Sequence, residues 1–215
     1  MKRFLILCLF LLPVSVFTQT KTTAAVDEWA EVPANAVREG ATVTLTGDFA
    51  VTLHIYMVLS SEVATTNGPS ISIQSSGNTT GDEDWTEKRR FQGPIGTANS
   101  EAVSGTEAIG STIIEVASTT GLYDDDGTRL IFFENTSVAD SEIGWLVSHE
   151  GTPSITVLDG ITNAQTSSTL FDIVQSWEVA IDFPAVRIRV LYDNTEDVSG
   201  PTIHTYCRVA RVEAL

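Results

Sequence analysis

The densest group of potential ligands in the chain is Asp124-Asp125-Asp126-Gly127, separated by two residues from the apolar run 130–133. Carboxylates beside a glycine suggest a calcium loop. Such a loop needs oxygen ligands at its positions 1, 3 and 5, a glycine at 6 and a bidentate glutamate at 12. Counting from Asp124 places Thr128 at position 5, Arg129 at 6 and Asn135 at 12, whereas placing Gly127 at 6 puts Leu122 at position 1. Both registers fail. A looser Ca2+ site would need Glu134 or Asp140 to fold back onto the turn, with Asp124, Asp126 and Glu134 as its candidate ligands. The simpler reading is a β-turn kept in water by its charges.

The remaining candidates are weaker. Asp82-Glu83-Asp84 precedes Trp85 and Lys88-Arg89-Arg90. Glycosidases use two carboxyls held about 5–9 Å apart, but adjacent loop residues point in different directions and nothing here fixes their spacing. His54, His149 and His204 are not at metal-ligand spacing and belong to no HExxH or Cys/His cluster. Two of them, His54 and His204, fall on expected strands and could face each other. No G-x-S-x-G elbow, dinucleotide fingerprint or P-loop is present. In "VRIRV", Val186, Ile188 and Val190 should point inward. Arg187 and Arg189 would then share an exposed face, joined by Arg208 on the final strand and pairing with acids such as Asp182 or Glu178. These three arginines are the candidate partner-binding patch. Trp85 and Tyr123 are candidate glycan platforms. Trp145, which alternates with Ile143 and Val147, is expected in the core. Asn78 and Asn135 begin Asn-x-Ser/Thr sequences.

Strands must position these groups. Val51, Leu53, Ile55, Met57 and Leu59 alternate with polar residues at the period of a half-buried strand, with Val58 as the one break. Further strands are expected at 70–74, 87–91, 111–117, 129–134, 142–148, 154–158, 177–182, 186–192 and 203–212. Turn signals such as Asn67-Gly68-Pro69, Asp159-Gly160 and Ser199-Gly200-Pro201 separate them. No window carries a long helical stripe. The expected class is all-β, an antiparallel β-sandwich with an inserted small barrel-like β module. Residues 37–95 plus 171–215 form the sandwich and 100–170 the module, because 37–95 alone has too few strands to close a sandwich.

Charge agrees with that division. Residues 100–170 hold eleven acids and one base, Arg129, for a net of −10. Residues 1–18 read as a signal peptide: a basic start, then a 14-residue apolar run at 4–17, too short to span a bilayer. Residues 19–36 read as an extended lead-in. Removing 18 of the 215 residues leaves 197, and losing Lys2 and Arg3 takes the formal charge from −16 to −18. So acidic a chain lacks the clustered cations that neutralise nucleic-acid phosphates. It is equally unsuited to an anionic membrane, and no membrane insertion is expected after signal cleavage. With Cys8 in the signal segment, Cys207 is left alone as a buried, inert thiol. The expected localisation is secreted, extracellular or periplasmic.

Residues 110–163 run from "STIIEVASTTG" through an acidic turn into "LIFFE", then "EIGWLVS" and "SITVLDGITNA". This order resembles a small β-barrel pattern of bacteriophage tail and other virion structural proteins. The resemblance implies a virion-associated or cell-surface assembly component, acting through a protein partner or self-assembly. It brings no catalytic residue and no cofactor, so the expectation is a non-enzymatic structural or interaction protein, with a glycan-binding sandwich as the alternative.

Overall fold

The computed structural model describes residues 19–45, 48–60, 67–81, 84–119, 122, 129–149, 153–196 and 200–214. The segment read as a signal peptide, the acidic turn with Asp124 and Asp126, and Tyr123 lie outside these residues. The fold is all-β and antiparallel. One sheet runs in the order β1 (Gln19–Val32), β17 (Ile203–Ala214), β4 (Asp48–Leu59), β15 (Val174–Ala180). A second runs β2 (Ala36–Glu39), β16 (Arg187–Asn194), β5 (Ser70–Ser76), β6 (Thr86–Gln92), with β3 (Val43–Thr44) also on β16. The two sheets face each other as a sandwich. The third runs β7 (Ser100–Ala102), β14 (Thr169–Phe171), β10 (Arg129–Glu134), β11 (Glu142–His149), β12 (Ser154–Val157), β9 (Ile113–Glu115). A short ribbon joins β8 (Thr106–Glu107) to β13 (Gln165–Thr166), and one sheet curls into a half-barrel. No helix among the described residues is long and apolar enough to cross a membrane.

Period-two patterning builds the sandwich core. Leu53, Ile55, Met57 and Leu59 of β4 are buried together with Ile71, Ile73, Ile188, Val190, Ile203 and Cys207. Val58, the break in the alternation, is also fully buried, because the opposite face of β4 is covered at that end too. The cover is the module. Strand β10 is apolar on both faces because it serves two cores: Ile131 and Phe133 pack with Ile114, Leu146, Ile155 and Leu170, while Phe132 packs with the sandwich. Phe171 of β14 does the same beside Leu170. A strand buried on both faces reads as a continuous apolar run, which is the "LIFF" of the sequence.

The structure corrects three expectations. Residues 19–32 form a full strand on the edge of the first sheet, paired along its length with β17, rather than a lead-in. The connections at 93–110 and 161–169 contain short strands of their own, β7, β8 and β13, and the start of β14. Trp145 is 48% exposed and not core. On β11 it is Leu146 that is buried, and Gly144 lies against Phe133 and Val157, so Ile143, Trp145 and Val147 take the opposite face.

Candidate functional site

The arginine patch expected from "VRIRV" is internal. Arg187 is 7% exposed. It donates from Nε to the Asn78 carbonyl at 2.7 Å and from Nη2 to the Gly81 carbonyl at 2.5 Å, and sits 3.9 Å from Asp84. Arg189 donates to Gln74 Oε1 at 2.8 Å and pairs with Glu39 at 2.7 Å, while Asp182 pairs with Arg89 instead. Both guanidiniums stack on Trp85, at 5.0 and 4.4 Å from the ring centroid. The side of β16 away from the core is therefore roofed by the turn after β5 rather than left to solvent. Trp85 is capped by cations, a cation–π arrangement that removes the ring face as a sugar platform. Arg208 does not join the other two, since β17 belongs to the other sheet.

Arg208 instead lines a cleft of ≈ 440 Å³ between sandwich and module. The sandwich wall carries Glu28, Trp29, Tyr56, Tyr206 and Arg208, and the module wall carries Ile143, Trp145, Asp159 and Asn163. The cleft exists because β1 bulges against β17 between Ala25 and Asp27 and again between Asp27 and Ala30. A bulge re-aims side chains. Here Asp27 turns into the core, while Trp29 stacks on Tyr206 on the module side at 5.2 Å between centroids. Tyr56 lies 6.1 Å from Tyr206 and Phe132 lies 4.6 Å from Trp29, which makes a continuous aromatic floor. Glu142 fixes the far lip. Its carboxylate accepts from the Thr162 amide and hydroxyl at 2.7 and 2.6 Å, the Asn163 amide at 3.1 Å and Gln165 Nε2 at 2.6 Å. The buried Nε of Arg208 has no hydrogen-bond partner.

Beyond Phe132, at the same seam, three ligand-type side chains converge. His204 Nε2 lies 3.2 Å from Glu134 Oε1 and 3.7 Å from Glu31 Oε1. His204 is 1% exposed, and neither ring nitrogen has a hydrogen-bond partner. Its 3.2 Å approach to Glu134 has a geometry that makes no hydrogen bond. Burial holds the imidazole pKa down at about 4, so the ring is neutral at pH 7. The carboxyl of Glu134 is raised, first by desolvation and then by the charge of Glu31.

Of the calcium ligands expected from sequence, Glu134 is thus placed in a cluster with Glu31 and His204, while Asp124 and Asp126 lie outside the described residues. His54 shares a face with His204 but pairs with Arg208, whereas His204 pairs with Val58, so the two histidines sit four residues apart along β4. Sequence reasoning missed Glu31, Glu28 and the two tyrosines. Their only sequence signal was the lone Trp29 in an otherwise small-residue stretch. No protein-family model matches the chain, and no curated protein or solved structure matches it significantly.

Proposed function

We propose that the chain is an exported binding protein that takes a carbohydrate in the cleft between sandwich and module. One observation carries this reading: a cleft large enough for a small ligand, floored by aromatic rings and rimmed by Glu28, Asp159 and Arg208. Sugars offer an apolar C–H face to an aromatic ring and hydroxyls to carboxylates and guanidiniums. The half-exposed Trp145 supplies a ring at the mouth, and the Arg208 side chain lines the cleft as its cationic group. Export is supported by the basic start and apolar run of residues 2–17.

A glycan array with purified protein tests the proposal, followed by titration of the best ligand into wild type and Trp145→Ala. The ring is half-exposed, so the variant should fold. We expect saturable binding by wild type and a loss of about tenfold or more in the variant, equivalent to ~1.4 kcal/mol. A silent array, or equal binding by both proteins, would remove the reading.

A second reading, a virion or cell-surface assembly component, is favoured by the concentration of −10 charges in residues 100–170. It expects association with a basic partner, since like-charged copies repel, and that association weakens as salt rises. Sedimentation with a basic protein at low and high salt distinguishes it from a lectin-like module.

A further inference from the structure

Glu31 and His204 are direct cross-strand partners in the β1–β17 register, which holds their side chains together on the module side of the first sheet. Glu134 comes from the other body. It ends β10, two residues after Phe132, whose ring packs 5.1 Å from that of His204. The three ligand atoms all lie within 4.8 Å of one another. With metal–ligand bonds of about 2.0–2.2 Å, adjacent ligands of a tetrahedral ion stand about 3.3–3.6 Å apart. The observed 3.2 and 3.7 Å separations from His204 to the two carboxylates bracket that range.

Chemistry points the same way. A buried imidazole without a hydrogen-bond partner is an unusual expense in a folded protein, and this one faces two carboxylates. Glu31 is half-exposed and Glu134 about a quarter exposed at the side chain, so the group opens to solvent on one side. That opening gives an ion a way in and a water molecule a fourth position. We propose that Glu31, Glu134 and His204 bind a first-row divalent ion of the zinc class, which pins the inserted module to the sandwich. One imidazole with two carboxylates suits such an ion better than Ca2+ or Mg2+, which take oxygen ligands. The site is independent of the carbohydrate reading, since none of its three residues lines the cleft.

The test uses untagged, chelator-treated protein titrated with Zn2+ in a calorimeter, with Co2+ as a visible-absorption probe of coordination. Wild type should bind one Zn2+ tightly, and Co2+ should give the intense visible bands of a low-symmetry, four-coordinate site. Ca2+ and Mg2+ should bind far more weakly. Each of Glu31→Gln, Glu134→Gln and His204→Asn should weaken Zn2+ binding by about 100-fold or more, since even outer partners of a ligand are worth 10–100-fold. His204→Asn changes a buried position and could unfold the chain, whereas Glu31→Gln alters a half-exposed side chain and keeps the test decisive. Zinc should also slow proteolytic cleavage in wild type but not in Glu31→Gln. Absence of saturable Zn2+ binding by wild type would overturn the proposal. So would Glu31→Gln and Glu134→Gln binding like wild type, which would mean that the ion sits on other surface carboxylates.

Discussion

At the residue scale, buried groups on the inward faces of β16 and β17 set the chemistry. Cys207 is fully buried, and desolvation, then the Asp27 charge, pushes its thiol far above its ordinary range. Tyr192 donates its hydroxyl to Asp27 at 3.0 Å, and burial, then Cys207, raises its phenol. Both groups stay protonated in the fold while the unfolded chain ionises them, so the stability they contribute is present below about pH 9 and declines as pH rises. Chemical denaturation should therefore give an unfolding free energy that falls from pH 9 upward. A thiol reagent should label Cys207 only at the rate of global unfolding; rapid labelling of the folded protein at pH 8 would contradict this burial. Trp85 gives a second residue-scale test. Replacing Arg189 with Lys keeps the charge but loses the planar stack and the fork that reaches both Gln74 and Glu39. That substitution should cost about 1–2 kcal/mol in urea denaturation. Little of this arrangement was legible in the sequence. "VRIRV" correctly turned Ile188 and Val190 inward, but alternation says only which side a residue takes. It says nothing of whether a turn later folds over that side, as Asn78, Gly81, Asp84 and Trp85 do here.

At the element scale, β1 and its bulges make the seam. Asp27 is buried by the first bulge, takes the Ala41 amide at 2.6 Å and lies 3.6 Å from Arg38. Gly40 is the position that allows this. A Cβ there would run into Asp27 Oδ2 and meet the Val190 carbonyl at 2.9 Å. Gly40→Ala should therefore destabilise the protein by about 1–3 kcal/mol, as overpacking does, and lower its melting temperature without changing its far-ultraviolet spectrum at room temperature. Strands β4, β10, β11, β16 and β17 were legible because their apolar residues recur at period two or run unbroken. Strand β1 was not. "KTTAAVDEWAEV" has no alternation, since its bulges shift the phase twice within a few residues. The same weakness misplaced Trp145: either phase of "IGWLV" offers apolar residues, and only the packing of Gly144 against Phe133 and Val157 decides between them.

At the scale of the whole molecule, a sandwich and an acidic module share one aromatic seam. Both proposed ligands lie along it, the carbohydrate in the cleft and the ion at Glu31, Glu134 and His204. The all-β sandwich class followed from sequence, because strand period and turn chemistry are local. The seam did not follow. Its residues come from β1, β4, β10, β11 and β17, and only the tertiary fold brings them together. If the cleft is the binding site, adding ligand must disturb Trp145 and Trp29, the two tryptophans that line it. The chain has four, Trp29, Trp85, Trp145 and Trp177, so a nitrogen-15-labelled sample resolves their indole signals one by one. Titrating the best oligosaccharide from the array should shift the Trp145 indole progressively and leave Trp85, under its two guanidiniums, unmoved. A shift at Trp85 or Trp177 with Trp145 unchanged would contradict the assignment of the cleft as the carbohydrate site.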